Sequence, residues 1–254
     1  MTTLTADLHI HSVLSPCGQL SMSPRAIAAR AVEVGLDVIA LADHNCARNA
    51  PALAAAVEAA GLRALYGVEA RSAEEVDLLV WFDQPEAAVE FGDWLYEGLP
   101  PVTCQREVFG DQVVVDADDE IVEFVERLLI SGQAEPLARI CDEARARGAL
   151  VVPAHVDRPR ESVISQLGWL PDDLEVDAVE LSRFGAEEEL LPRHPWLARQ
   201  PIVRFSDAHR LQDIGYQQTW FHVAEATVAE FRAALAGRDG RWARPVRQAL
   251  KEDG

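Results

Sequence analysis

The sequence predicts an α/β domain built on a parallel sheet or barrel, with its chemistry at the C-terminal ends of the strands. Short β-branched runs alternate with Ala-rich helical stretches through most of the 254 residues, a length that suits one α/β barrel. Five of the seven histidines (His9, His11, His44, His155 and His209) fall at or just beyond the end of a predicted strand.

The elements follow in order. A first strand over 4–9 leads to a helix that Ser23 caps, Pro24 opens and Gly35 closes. A strand over 37–42 precedes a helix bracketed by Pro51 and Gly61, and strands over 63–66 and 76–82 come next. The rhythm breaks over about 99–134. There Pro100-Pro101, the run Gln112–Asp116, the acidic turn Asp118-Asp119 and an amphipathic stretch through Ile130 predict an inserted hairpin plus helix. Covering a site and making a surface excursion are equally good readings of that insert. A helix from Pro136 to Gly148, strands over 150–153, 176–181, 202–205 and 219–223, and a helix over about 227–236 complete the chain.

Charge and composition narrow the function. There are 23 Lys and Arg against 42 Asp and Glu, a net −19, which repels phosphate backbones at long range. Duplex nucleic acid is therefore not an expected partner, whereas a small phosphorylated substrate or nucleotide fits if bound cations reverse the sign locally. Lys251 is the single lysine, so Schiff-base chemistry and a P-loop lysine are excluded. No apolar run approaches the roughly 20 residues of a membrane span. With no signal-peptide pattern at the start and four scattered cysteines, a cytoplasmic protein is expected.

In Asp7-Leu8-His9-Ile10-His11, a period of two puts Asp7, His9 and His11 on one strand face and Leu8 and Ile10 on the other. Ser206-Asp207-Ala208-His209 repeats that arrangement far along the chain. Three further strand ends feed the same rim, through Asp43-His44, Glu69 and His155. A lone strand-terminal histidine is more often structural than a ligand. Five of them with Glu69 and Asp207 point instead to a multinuclear metal site, and the mix of imidazole and carboxylate suits zinc, manganese or iron. No G-x-S-x-G elbow or G-x-G-x-x-G motif occurs, so covalent serine hydrolysis and dinucleotide binding lack support.

H-x-H at the first strand, Asp-His at the second, Glu at the third, Pro153-Ala154-His155 and the late S-D-A-H together resemble the PHP (polymerase and histidinol phosphatase) family over about residues 4–214. The resemblance implies one distorted (β/α)7 barrel domain over 1–254, with two or three divalent ions at the C-terminal strand ends. It implies that His9, His11, Glu69 and Asp207 hold one ion. Glu69 would bridge to a second ion held with His155 and Asp77, and His44, His209 and Cys17 would hold a third. Glu69, His155 and Asp207 would carry the catalysis, a hydroxide bridging two ions attacking phosphorus in line.

Two positions depart from the family pattern. Cys17, where family members often have His or Asp, reads as a thiolate donor favouring zinc or iron, or as a small buried thiol. Asp77, where His is common, reads as a ligand or as a bystander that leaves the second ion weakly held. Asp7 and Asp43 read as groups orienting imidazoles, or as solvated strand-end acids. Arg71, Arg158 and Arg210 are candidate phosphate forks. Glu180 could point into the same rim, while His194, His222, Cys46, Cys104 and Cys141 read as residues outside the site. The expected activity is a metal-dependent phosphoesterase acting on a small phosphomonoester, a nucleotide or a short oligonucleotide. The alternatives are a catalytically silent metal-binding module, which would be expected to have lost several donors, and an amidohydrolase, for which a lysine near the site is missing.

Overall fold

Local chemistry fixes where the helices begin and end. Ser23 Oγ accepts from the Ala26 amide at 3.3 Å and Pro24 opens the turn behind it. Gly35 and Gly61 take the left-handed backbone, φ 76° and 69°, that stops the first two helices. The computed structural model describes residues 1–247, and Lys251 lies outside them. Its first half runs β1 (Thr2–Ile10), α1 (Pro24–Glu33), β2 (Val38–His44), α2 (Ala50–Ala60), β3 (Arg63–Arg71), β4 (Asp77–Phe82) and α3 (Pro85–Glu97). The insert holds α4 (Arg106–Phe109), β5 (Val113–Val115) and β6 (Ile121–Phe124). Then come α5 (Leu137–Ala146), β7 (Leu150–Pro153), α6 (Val163–Gln166), β8 (Val179–Glu180), α7 (Glu187–Leu190) and β9 (Ile202–Val203). The last described elements are β10 (Gln217–Val223), α8 (Val228–Leu235) and β11 (Trp242–Arg247).

These elements form a curled seven-stranded half-barrel, in the order β11-β10-β1-β2-β3-β4-β7. The α/β distorted barrel is as expected, but the sheet is mixed rather than parallel. β1, β2 and β3 run parallel, whereas β4 is antiparallel to both neighbours and β10 is antiparallel to β1. Only residues 72–76 separate β3 from β4. A parallel neighbour needs a crossover of about a dozen residues or more, so the pair folds back as a hairpin with Arg71 opposite Asp77.

The insert also differs in part from expectation. Its hairpin is β5 with β6, but its helix is the single turn α4 before the hairpin, and the stretch through Ile130 is not helical. Backbone groups there bond across the insert instead, Val125 N to Gln112 O at 2.9 Å and Leu128 N to Val102 O at 2.8 Å. Asn45 Nδ2 donates to the Leu129 and Ser131 carbonyls at 2.7 and 3.0 Å, pinning the end of the insert beside His44.

Alternation sorts the core. Leu65, Leu79 and Trp81 pack with Leu8, Ala40 and Val152 on one side of the sheet, while Val68, Leu78 and Val80 pack with Phe91, Leu95 and Ile140 on the other. Gly67 makes room for Trp81, because a Cβ there would lie 2.0 Å from the Val80 carbonyl oxygen and 2.7 Å from the indole. β1 breaks the alternation. Its pairing with β2 runs Ala6 to Val38 and Asp7 to Ile39, then jumps to Ile10 with Leu41. The extra residue re-aims side chains, so Leu8 packs with Trp81 while Ile10 packs with Ile27 and Leu53 in a different cluster. The bulge thereby parts Asp7 from His9 and His11, which strict alternation had put on one face. No helix among the described residues is long and apolar enough to cross a membrane.

Candidate metal centre

The ends of β1, β2, β3 and β7 and the loop after β9 deliver their side chains to one buried spot. His9 Nε2 and His11 Nε2 lie 3.2 Å apart. Each is 3.4 Å from a Glu69 oxygen, and they stand 3.4 and 3.3 Å from Asp207 Oδ1. A tetrahedron of donors about 2.0–2.1 Å from a zinc ion has edges of roughly 3.3–3.4 Å, so these separations suit a cation at their centre. Glu69 Oε1 also lies 2.9 Å from His155 Nε2, which is 3.8 Å from Asp77 Oδ2. Beside them, His11, Cys17, His44 and His209 bring four donor atoms within 4.8 Å of one another. Nδ1 of His44, 3.1 Å from Glu69 Oε2, is buried with no hydrogen-bond partner. A buried polar atom is rarely left so, and a cation would satisfy it.

Electrostatics agree with that fit. Burial alone would depress His9, but the Glu180 and Glu69 carboxylates override it and lift the imidazole to about 10, so without metal a proton serves as the cation. Burial pushes His11 down to about 4 and His209 down to about 2, leaving both neutral and able to ligate. Burial opposes ionisation of Glu69, yet His9 and His44 hold its carboxyl well below the usual range. Burial, with Glu69 nearby, raises Asp77 to about 6 against the pull of Arg71.

Groups behind the donors hold them in place. Glu180 Oε1 and Oε2 stand 3.1 and 3.2 Å from His9 Nδ1, and Oε2 accepts from the His155 amide at 2.8 Å. Sequence reasoning allowed that Glu180, closing a strand on the same rim, could point into it, but assigned it no role. His11 Nδ1 lies 2.9 Å from Ser15 Oγ, which donates to Asp43 Oδ1 at 2.6 Å. Asp43 thus orients an imidazole through a serine, and Ser15 had no sequence signal. His155 and Asp207 hold positive φ, 27° and 52°, a costly backbone for side-chain-bearing residues that tends to cluster at functional sites.

Two expected roles are corrected. Asp7 touches no imidazole nitrogen; its oxygens accept from the Ser206 and Gly215 amides at 3.0 and 2.9 Å, because the β1 bulge turns it towards the segment bearing Asp207. Arg71 is not an open phosphate fork. The hairpin register sets it against Asp77, which it grips in bidentate fashion at 2.8 and 2.9 Å, and its remaining nitrogen reaches Ile130 O and Glu161 at 3.1 Å each. Arg158 donates to Asp207 Oδ2 and borders the donor cluster. With Arg183 and Arg210 it lines a cleft of about 650 Å³ that opens onto His155, Asp207 and His209.

The PHP domain family model matches residues 7–144. YqxK from Bacillus subtilis (strain 168), an uncharacterized protein, is 34% identical over 99 residues, covering 37% of this chain and 25% of YqxK. The crystal structure of the lesion-specific endonuclease PfuEndoQ from Pyrococcus furiosus superposes with a TM-score of 0.71 at 18% identity, over 98% of this chain and 60% of that one. Endonuclease Q in complex with a 27-mer duplex substrate bearing an abasic lesion at the active site gives 0.65 at 19% identity, over 95% and 58%. The chain thus spans less than two thirds of these relatives' length. The exclusion of duplex nucleic acid is overturned by that complex, since a protein of this fold takes a duplex substrate. Net charge sums the whole surface, whereas a polyanion meets the local field, and here arginines line the cleft. With its ordered donors and a match over more than half its length, the chain belongs to the PHP domain family.

Proposed function

We propose that the chain is a metal-dependent phosphoester hydrolase whose substrates are nucleic-acid phosphodiesters, and that residues 1–254 form one such domain with an insert over about 99–134. The observation that carries this reading is the sharing of Glu69 between two groups of buried donors, beside a third, at the mouth of an arginine-lined cleft. His9, His11, Glu69 and Asp207 would hold one ion, Glu69, Asp77 and His155 a second, and Cys17, His44 and His209 a third. Zinc, manganese or iron there would supply Lewis acidity at a phosphoryl oxygen and acidify an attacking water.

The chain's own groups orient and exclude. Glu180 fixes the His9 ring, and Ser15 with Asp43 fixes His11. Arg158 and Arg210 offer charge-assisted hydrogen bonds to non-bridging oxygens. Burial of Glu69, His9, His11, His44 and His155 keeps bulk water from those donors. The likeness in fold to endonuclease Q favours a nucleic-acid diester over a small monoester. Four free thiols suit a cytoplasmic setting.

The test uses chelator-stripped protein reloaded with manganese or zinc. It is offered end-labelled duplexes with and without an abasic site, single strands, nucleoside monophosphates and a sugar phosphate. Cleavage of oligonucleotides should need the metal. It should fall by more than about 100-fold in Asp207→Asn, beyond the cost of losing a group behind a ligand; asparagine tolerates the left-handed backbone. Undiminished cleavage by that variant, or no ester hydrolysed at all, rejects the proposal.

A further inference from the structure

The turn after β8 is braced by buried charge. The Ser182 amide and hydroxyl donate to the two Asp157 carboxylate oxygens at 2.7 and 2.6 Å, and the Phe184 amide donates to Ser182 Oγ at 3.2 Å. From beneath, the buried Arg204 guanidinium donates to the Ser182 and Gly185 carbonyls at 2.7 and 2.8 Å. A Cβ on Gly185 would lie 2.7 Å from Asp157 Oδ2, so glycine lets the turn sit this tightly on the carboxylate. What this bracing presents is an aromatic ring in water. Phe184 is 68% exposed, with the Arg183 guanidinium 4.8 Å from the ring centroid.

Isolated apolar residues on a surface are ordinary. This one stands on a rigid support and lines the same cleft as His155, Asp207 and His209. The cleft, about 650 Å³, lies within the range of about 300–1,000 Å³ of small-ligand pockets. Its contents divide by chemistry, with donor residues at one part, Arg158 and Arg210 suited to phosphate oxygens, and the Phe184 face suited to a flat ring.

We propose that Phe184, with Arg183 against it, is a stacking platform for an unstacked nucleobase whose phosphate lies at the donor cluster. This rests on the phosphoesterase reading and names the part of the substrate that is gripped beside the phosphate. Every base has a π-face, so the platform favours nucleotides over base-free esters without selecting among bases. The base comes from a strand or from a free nucleotide, and the two are separated by experiment.

The probes are 2-aminopurine nucleoside monophosphate and a short single strand carrying 2-aminopurine, whose fluorescence is quenched on stacking. Both are titrated into metal-loaded protein. Wild type and Phe184→Trp should quench the probe, and Phe184→Ala should not. The ratio of hydrolysis rates for base-bearing over abasic esters should fall about 5- to 150-fold in Phe184→Ala, the fold-change of one lost stacking contact. Quenching by the strand alone assigns the base to a polymer, and quenching by both extends the site to free nucleotides. Equal quenching by Phe184→Ala, or an unchanged ratio, overturns the platform. A wild type that quenches the probe but hydrolyses no ester leaves the platform standing and removes the phosphoesterase reading instead.

Discussion

Glu69→Gln tests the shared carboxylate most directly. Its oxygens lie within 3.4 Å of imidazole nitrogens from His9, His11, His44 and His155, and it belongs to two of three donor groups. The substitution keeps the shape and removes the charge. An ion present at 100 times its Kd stabilises the folded state by about 2.7 kcal/mol. One kcal/mol moves the Tm of a chain of this size by roughly 2–4 °C. Each filled group is thus worth about 5–11 °C, and three independent groups about 16–32 °C. Calorimetry of chelator-stripped protein reloaded with zinc, alongside elemental analysis, reads both quantities. Wild type should take up three ions per chain. Glu69→Gln should keep only the ion of the Cys17 group, with a shift of about 5–11 °C. A wild-type Tm indifferent to metal, or a variant that binds as many ions as wild type, refutes the reasoning.

Other outcomes follow from the same geometry. Glu180→Gln removes the charge behind the His9 ring and should weaken zinc binding about 10- to 100-fold, read by competition with a chromogenic chelator. In metal-free protein, Arg71→Ala strands the buried Asp77 carboxylate and should cost about 3–5 kcal/mol in urea melts; an unshifted midpoint would contradict the bidentate pair. Glu230 is held down to about 2 by its hydrogen bonds from Arg241 and the Ala224 amide. Its contribution to stability is therefore present above the ordinary value of 4.5 and lost as pH falls from there towards 2. An acid titration by circular dichroism should show a shallower decline for Glu230→Gln, and identical curves would dismiss the pair.

Much of the centre was legible because its donors close predicted strands, and strand ends on one edge of an α/β sheet meet in space. His9, His11, His44, Glu69, His155, Asp207 and His209 all carry that local signal, and the structure gathers them. What escaped depends on contacts between segments. Asp7 looked equivalent to His9 because a bulge has no signature in an alternating run. The destination of Arg71 needed the antiparallel sense of β4, for which the short spacing from Arg71 to Asp77 was the available clue. Glu180 sits 171 residues from the imidazole it orients, and no periodicity spans that gap. The stretch through Ile130 was misread as helical, because its apolar residues pack against scattered partners rather than along one helix face.

The sheet order has a consequence for how the protein comes to be. β1 lies between β2 and β10, so during synthesis β1 waits for a strand far along the chain before its second edge is covered. Such distant pairing is slow to close. The donors run from residue 9 to residue 209, so a nascent chain that stops short of residue 207 holds several imidazoles without the aspartate and histidine that complete the set. Completion of the full donor set is then a late event in biogenesis, and a prematurely terminated copy presents an incomplete cage.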